Sequence, residues 1–325
     1  MATYKEIYGS TIEVVTSDPE NPVTGQIWYN STDNVVKGAA VTTAGAWATG
    51  ADLNTGRTNI AGCGVSNTAS IAVGGRIPPS SQQAVVESYD GTSWTEVGDL
   101  NTARNYIGVF GSSTAAIGAG GATTVYQSVV ESWNGSSWSE VADINSARGY
   151  MPGAGTQTSG LIMGGEPDTL DTLVESWNGS SWTEVGDLNT GVRQSARGGQ
   201  VDNNSAIKAG GYTGTAATAN AEEWNGTSWA EVSDLNTARY SLNGDGATST
   251  ASLAFGGYTT ADVAITEEWN GTSWTEIADM STARNALGGS GSTSSALAFG
   301  GAPSLATTEE WTGAGAPLTV TFTDS

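Results

Sequence analysis

A segment of roughly 45 residues is repeated along this chain, and the repeat constrains the fold more than any other feature of the sequence. The copy WNGTSWTEIADMSTAR ends at Arg284, and similar full or partial copies end at earlier arginines. The repeat arginines are Arg57, Arg104, Arg148, Arg193, Arg239 and Arg284. A diglycine follows a short apolar run once in each unit, from Gly74-Gly75 to Gly300-Gly301. Two markers with one period predict an array of six similar units.

Each unit is predicted to form four short strands. The apolar runs are too short for a helical hairpin, and strand periodicity places Trp94 and Thr95 on opposite faces. An Asn-Gly or Asp-Gly pair between the third and fourth strands is a strong hairpin signal. The first strand, for example Ala286–Gly291, is rich in small residues that suit the crowded axis of a closed ring. We therefore expect one antiparallel, four-stranded blade per unit.

The sixth unit lacks its fourth strand. After Trp311 the chain has no counterpart of the SWTEV segment, whereas a half copy with Trp47 stands near the N-terminus. We expect residues 45–50 to pair with the last unit and close the ring, which removes two exposed sheet edges. Residues 318–322 also alternate like a strand, and the sequence leaves open whether they replace this N-terminal strand or lie beside it.

The diglycine after an apolar strand, followed by two spaced aromatic residues such as Trp269 and Trp274, resembles the kelch motif. The resemblance covers residues 45 to about 315. It implies an all-β fold, a six-bladed kelch-like β-propeller of four-stranded antiparallel blades with its ring closed by an N-terminal strand. We predict this propeller over residues 45–325, preceded by a small β-hairpin module over residues 1–44.

The composition argues against catalysis. The chain has no histidine and one cysteine, Cys63. Histidine-ligated metals, Ser-His and Cys-His nucleophilic pairs and imidazole acid–base chemistry are therefore excluded. An enzyme would have to use Asp, Glu, Tyr and Arg alone, and no glycosidase-like carboxylate pair stands out from the repeat. We predict no catalytic residues, no cofactor and no metal site. Calcium binding stays an open alternative, because the connections are rich in oxygen ligands although none has EF-hand spacing.

The charge balance limits the partners. With 33 acidic and 11 basic side chains, the formal net charge is −22. Such a surface repels phosphate backbones and anionic membranes, so we expect no nucleic-acid partner. No run of about 18 apolar residues occurs, which predicts no membrane insertion. The first residues lack a basic segment followed by an apolar one, so no signal peptide is predicted.

One glutamate in each unit precedes the third-strand aromatic residue by two positions. These repeat glutamates are Glu87, Glu131, Glu175, Glu222, Glu267 and Glu309. One arginine and one glutamate per unit predict a structural ion pair in every blade. The alternative is that the repeat arginines form a ring of cations that binds an anion. Strict repetition favours the structural role, because binding sites tend to use unequal residues from different blades.

Candidate binding residues should lie on the loops that differ between units. The connections after the diglycines and after the repeat arginines are expected at one face, and several carry tyrosine. Tyrosines on variable loops of a rigid scaffold suit the binding of a glycan or a protein. The alternative is ordinary half-buried tyrosine. The candidates are Arg76, Gln82, Tyr106, Tyr126, Tyr150, Tyr212, Tyr240 and Tyr258.

Residues 1–44 do not repeat. The segment DPENPVTGQIWYNSTDNVVKG, residues 18–38, is similar to a segment of bacteriophage tail and fibre proteins. A β unit this small is too thin to be stable alone. It would pack on the propeller, self-associate into a homo-oligomer or dock on a larger assembly. The resemblance implies other virion proteins as partners of residues 1–44.

The sequence supports three hypotheses of function. The preferred one is a non-enzymatic virion component of a phage, associated with the tail, fibre or capsid, whose propeller serves in decoration or in adhesion to a host-surface glycan or protein. The second is a free-standing microbial kelch propeller that binds carbohydrate or protein. The third is an enzyme such as a glycosidase or lyase.

Overall fold

A computed structural model of the chain describes residues 12–19, 22, 24–41, 44–79, 81–166, 172–315 and 317–322. No α-helix occurs among these residues. Their strands form seven four-stranded sheets and one two-stranded sheet, and almost all neighbouring strands are antiparallel. The fold is therefore all-β, as the sequence predicts.

In chain order, the first ten strands are β1 (Glu13–Val15), β2 (Ile27–Asn30), β3 (Val35–Val41), β4 (Ala46–Thr49), β5 (Ala61–Ser66), β6 (Ala69–Val73), β7 (Arg76–Ile77), β8 (Ser81–Gln82), β9 (Val86–Tyr89) and β10 (Trp94–Glu96). The next ten are β11 (Gly108–Gly111), β12 (Ala116–Ala119), β13 (Val130–Trp133), β14 (Trp138–Val141), β15 (Gly153–Thr156), β16 (Ser159–Met163), β17 (Val174–Trp177), β18 (Trp182–Glu184), β19 (Ala196–Gly198) and β20 (Ala206–Tyr212). The last ten are β21 (Ala217–Trp224), β22 (Trp229–Val232), β23 (Asn243–Thr248), β24 (Ala251–Phe255), β25 (Thr266–Trp269), β26 (Trp274–Glu276), β27 (Gly288–Ser292), β28 (Ser295–Phe299), β29 (Thr308–Thr312) and β30 (Pro317–Phe322).

Six of the four-stranded sheets correspond to the six repeats. We number them sheets 1 to 6, and they begin with β5, β11, β15, β19, β23 and β27. In sheet 2 the strands follow one another as β11-β12-β13-β14, and Trp133 pairs with Trp138 across the last hairpin. The Asn134 side-chain oxygen accepts hydrogen bonds from the backbone N–H groups of Ser136 and Ser137, each at 3.0 Å. The repeated Asn-Gly turn thus closes the hairpin through its own side chain.

Sheet 6 takes its outer strand from the N-terminal part of the chain. Its order is β27-β28-β29-β4, with Trp47 opposite Trp311. The pairing expected for residues 45–50 is therefore present. Trp47 also packs edge-on against Phe255 of sheet 5, with ring centroids 5.2 Å apart. Since β4 occupies the outer edge of β29, that edge is closed to the C-terminal strand.

The chain divides into two compact units, Ala46–Thr312 and a unit that joins Met1–Gly45 to Gly313–Ser325. The C-terminal strand β30 pairs with β3, from Val36 opposite Phe322 to Val41 opposite Pro317. The last strand therefore lies outside the 45–325 domain to which the sequence assigned it. The reason is that β4 already completes sheet 6, while β3 offers an unpaired edge.

The smaller unit is a single sheet of order β1-β2-β3-β30, in which β1 runs parallel to β2. The Trp28 ring is fully buried, and its N–H donates to Asp18 at 3.0 Å. Asp18 also accepts from Asn30 at 2.8 Å and pairs with Lys37 at 2.7 Å. These bonds, Lys37 first, lower the pKa of Asp18 to about 2. The side chains of Trp28, Asn30 and Lys37 are thus joined by a network around one carboxylate.

The six sheets contact one another in a cycle through their first strands. Each first strand contacts that of the next sheet, and β27 contacts β5. A residue just before each first strand joins a cycle of backbone hydrogen bonds, for example Tyr150 N–H to Tyr106 C=O at 3.0 Å and Asn59 N–H to Ala286 C=O at 2.9 Å. The members of this hydrogen-bonded cycle are Asn59, Tyr106, Tyr150, Gln194, Ser241 and Ala286. All six have positive φ angles between 51° and 61°.

Buried ion pairs recur between the repeat arginines and glutamates. Arg104 and Glu131 are fully buried and lie 2.8 Å apart, and the guanidinium also donates to the carbonyls of Gly120 and Val129. Glu131 accepts a further bond from the backbone N–H of Asn101 at 2.7 Å. The corresponding pairs are Arg57–Glu87, Arg148–Glu175, Arg239–Glu267 and Arg284–Glu309. Each pair thereby holds the segment that leads into its sheet, and that ends at the repeat arginine, against the two middle strands of the sheet.

Sheet 4 is the exception, and the prediction that Arg193 pairs with Glu222 is wrong. The segment Asn189–Arg193 has one residue more than its counterparts, so Val192 takes the buried arginine position. Lys208, on β20, supplies the cation instead, with its Nζ 3.4 Å from Glu222 and both side chains fully buried. The insertion leaves Arg193 outside the scaffold ion pairs.

Stability measurements test whether Lys208, and not Arg193, is the buried cation of sheet 4. Arg104→Met leaves the Glu131 carboxylate buried and unpaired, so we expect it to lower the free energy of unfolding by about 3–5 kcal/mol. We expect Lys208→Met to lower the free energy of unfolding by a similar amount, because Lys208 neutralises the buried Glu222 carboxylate. Arg193→Met should change stability by less than about 1 kcal/mol, because its ion pair is partly exposed. Urea unfolding followed by tryptophan fluorescence measures all three. An Arg193→Met loss equal to that of Arg104→Met would contradict the assignment.

Candidate functional site

The variable connections meet beside the hydrogen-bonded cycle. Backbone bridges join the residue before a cycle member to the residue after a diglycine, as in Arg193 with Tyr212 and Tyr240 with Tyr258. Another bridge joins Gly149 to Glu166. The two connections therefore lie side by side, as expected for loops at one face of the sheets.

The six candidate tyrosines are half-buried and come together in one cluster. Tyr106 stacks on Tyr150 with ring centroids 3.6 Å apart, and Tyr126 meets Tyr150 edge-on at 6.4 Å. On the other side, Tyr240 lies between Tyr212 at 5.1 Å and Tyr258 at 5.5 Å. Burial between these neighbours raises the pKa of Tyr150. The tyrosines belong to the connections of sheets 2 to 5.

Arg193 joins the two halves of this cluster. Its guanidinium carbon lies 5.3 Å from the Tyr150 ring centroid and 5.1 Å from that of Tyr212. It also forms an ion pair with Glu166. Cations at such distances are attracted by the electron-rich ring faces. We call Arg193 and the six tyrosines the tyrosine arc. The sequence signal for Arg193 was the extra residue before it, which breaks the repeat.

Arg76 and Gln82 lie apart from these ring contacts, in the two-stranded sheet of β7 and β8. They pair directly with each other across that small hairpin. The Gln82 amide donates to the carbonyl of Thr123 at 2.8 Å, and so ties the hairpin to the neighbouring connection. The Arg76 Nε is buried and has no hydrogen-bond partner among the described residues.

A pocket of about 90 Å³ opens within the hydrogen-bonded cycle. We call it the axial pocket. All six cycle members line it, and Tyr106 and Tyr150 belong to the tyrosine arc as well. The apolar part of the lining includes Ile107, Met151 and Leu287. Polar groups around an apolar wall are typical of small-molecule sites.

Arg197 lines the axial pocket, and it also lines a second cavity together with Gln200 and Asp245. We call these three residues the floor, and the sequence did not identify them as a group. Arg197, on β19, reaches across to the carbonyl of Gly62 at 2.6 Å and to Asp245 at 3.4 Å. Gln200 donates to the carbonyls of Gly64 at 2.8 Å and Gly291 at 3.1 Å. Side chains from sheet 4 thereby close the axis against sheets 1 and 6. Arg197 had one visible signal, since it falls outside the repeat arginines.

Burial changes the acidity of two groups near this floor. It raises the pKa of Asp245 to about 6, against the opposing attraction of Arg197. It raises the pKa of the Cys63 thiol to about 12. Arg197 and Asp245 lie 3.4 Å apart as a buried ion pair, and Cys63 stays a neutral thiol near pH 7. The arc and the pocket offer aromatic surfaces for stacking and groups for hydrogen bonding.

No protein-family model matches this chain, and no curated protein matches it. Among the described residues there is no helix with the length and apolar character to cross a membrane. The same residues contain no group of three or more His, Cys, Asp or Glu side chains placed to hold a metal ion. Inference about function therefore depends on the arc and the pocket.

The state of Cys63 is directly measurable. Because thiolate is the reactive form, a buried thiol with a pKa of about 12 should resist a disulfide reagent such as DTNB at pH 8. We expect no absorbance change over an hour in the folded protein and release of one equivalent in urea, as the chain has one cysteine. Rapid reaction of the folded protein would show that Cys63 is accessible and ionised.

Proposed function

We propose that Ala46–Thr312 is a six-bladed kelch-like β-propeller, with sheets 1 to 6 as its blades and β4 as the strand that closes the ring. The cyclic contacts between first strands support this arrangement. So does the cycle of six backbone hydrogen bonds, in which each sheet contributes one donor and one acceptor. The outer strand of sheet 6 comes from the opposite end of the unit, as ring closure requires.

We further propose that the propeller is a non-enzymatic binding protein, with its ligand site at the tyrosine arc and axial pocket. The observation that carries this proposal is the placement of Arg193 between Tyr150 and Tyr212 beside the pocket. A one-residue insertion removes this arginine from the scaffold and places it in the arc. Aromatic rings and an arginine at a pocket mouth are favourable contact groups for a ligand.

The use of the carboxylates supports binding rather than catalysis. The repeat glutamates are buried in ion pairs and accept several backbone hydrogen bonds, as Glu87 does from Asn54 and Thr55. At the pocket floor Asp245 is paired with Arg197 and accepts from the Gly246 N–H at 2.9 Å. Groups held in this way stabilise the fold and orient neighbours.

The setting that we propose is a phage particle, in which residues 1–44 contact other virion proteins and the propeller contacts a host-surface ligand. The resemblance of residues 18–38 to phage tail and fibre segments supports this. Among the described residues of this segment, β2 pairs with β3, and Asp18 bonds both Trp28 and Lys37. A free-standing microbial propeller with the same binding face is the alternative. Immunogold labelling of purified particles distinguishes them, because the alternative predicts unlabelled particles.

Binding at the arc is tested by a single truncation. Tyr212→Ala removes a ring that contacts both Arg193 and Tyr240 without lining the axial pocket. We expect roughly tenfold weaker binding to any glycan that a glycan array identifies, since buried aromatic anchors contribute more than about 1 kcal/mol.

Val65→Ala is the matched control for this truncation. Val65 is 54% exposed near the end of β5 and is not part of the tyrosine arc, so its truncation should leave binding unchanged. Equal binding by Tyr212→Ala and the unaltered protein would place the ligand site elsewhere.

A further inference from the structure

The axial pocket carries polar side chains that the protein itself does not use. The backbone N–H and C=O groups of Asn59, Gln194 and Ser241 are occupied in the hydrogen-bonded cycle. Their side chains line the pocket, and among the described residues they form no hydrogen bond. Below them the Ser195 hydroxyl is buried without a partner in the described part of the chain. Buried polar atoms are normally paired, so the Ser195 hydroxyl indicates a ligand that would complete it. The side chains of Asn59 and Gln194 are more accessible, and together with Ser241 they offer further hydrogen bonds to the same ligand.

These side chains are uncharged, and each can both donate and accept hydrogen bonds. Amide and hydroxyl side chains each offer both a donor and an acceptor, which matches the hydroxyl groups of a sugar. Tyr106 and Tyr150 add aromatic surface at the same rim. A ligand with a polar edge and an apolar face suits this combination.

The floor selects against a charged ligand. Arg197 is 8% exposed, and Asp245, at 3.4 Å, balances its charge. A carboxylate that approached Arg197 would also approach the buried Asp245 carboxylate, and two like charges in one buried site are unfavourable. An uncharged ligand meets no such penalty.

The closed floor also limits how a ligand enters. Arg197 and Gln200 bridge from sheet 4 to Gly62, Gly64 and Gly291, so a chain cannot thread through the axis. A pocket of about 90 Å³ holds one end of a small ligand rather than several linked units.

We propose that the axial pocket binds the terminal residue of an uncharged glycan, inserted end-on and hydrogen-bonded by Asn59, Gln194 and Ser241. This inference rests on the proposed binding function and names the ligand class and the residues that select it. The tyrosine arc then contacts the part of the glycan that stays outside the pocket.

The first test uses simple sugars. Glucose, galactose and mannose are each compared with their uronic acids by saturation-transfer NMR and calorimetry. We expect at least one hexose to bind with a Kd on the order of 1 mM and its uronic acid at least tenfold more weakly. In an oligomer of that hexose, saturation should be strongest on one terminal residue.

The second test removes the proposed contacts. Asn59→Ala, Gln194→Ala and Ser241→Ala should each weaken hexose binding about fivefold, the effect of one lost hydrogen bond. Alanine suits these positions, because Ala286 occupies the same place in the cycle with a φ of 53°. Thr158→Ala, which lines a separate cavity with Val65 and Gln200, is the control and should leave binding unchanged.

The third test changes the floor charge. Asp245→Asn leaves Arg197 without its counter-charge while the side chain can still accept from the Gly246 N–H. We expect uronic-acid binding to strengthen at least tenfold and hexose binding to change less than twofold. Equal binding of hexose and uronic acid by the unaltered protein would overturn the proposal.

Failure of this inference is distinguishable from failure of the binding function. If Tyr212→Ala abolishes glycan binding while the three alanine variants bind normally, the arc binds the ligand and the end-on pocket is wrong. If no sugar binds but a protein partner is lost on Tyr212→Ala, the ligand class is wrong. If neither sugars nor a partner depend on Tyr212, the proposed binding face itself is wrong.

Discussion

The cycle of six backbone hydrogen bonds is the constraint on which the architecture depends. Each member must adopt a positive φ to give its N–H to one neighbour and its C=O to the other. Neighbouring first strands approach closely, and a Cβ at Gly244 on β23 would lie 2.8 Å from the Cβ of Ala196 on β19. With the backbone groups occupied, the cycle members present their side chains to the axial pocket. Because the backbone groups of the cycle members already bond one another, their side chains are the groups that can contact a ligand.

The buried ion pairs connect this axis to the rest of each sheet. A repeat arginine forms an ion pair with a glutamate of its sheet and also donates to a carbonyl of the diglycine. The glutamate in turn accepts a hydrogen bond from the backbone of the segment that leads into the sheet. An unpaired charge at such a depth is strongly unfavourable, so each pair holds its connection in one position. Most basic side chains of this acidic protein are used in this way. Arg193 and Arg197 stand outside these pairs, and both lie at the candidate site.

Sheet 4 shows how a departure from the repeat generates a site. One inserted residue moves Val192 into the arginine position, and Lys208 keeps Glu222 neutralised, so the scaffold tolerates the change. Arg193 is then placed against Tyr150 and Tyr212. The same sheet sends Arg197 and Gln200 across the axis. The repeated ion pairs stabilise the sheets, and the irregular sheet 4 contributes Arg193 and Arg197 to the candidate site.

The sequence by itself determined the all-β class, the repeat units and the use of β4 by the last unit. These features depend on local patterns such as turn residues, strand alternation and repeat spacing, which a single sequence displays. Three features were decided by the tertiary structure alone: the pairing of β30 with β3, the replacement of Arg193 by Lys208 and the Arg197–Asp245 floor. Each joins residues distant in sequence, and each depends on which edge, carboxylate or carbonyl remains available once the sheets have packed. Local patterns do not contain that information.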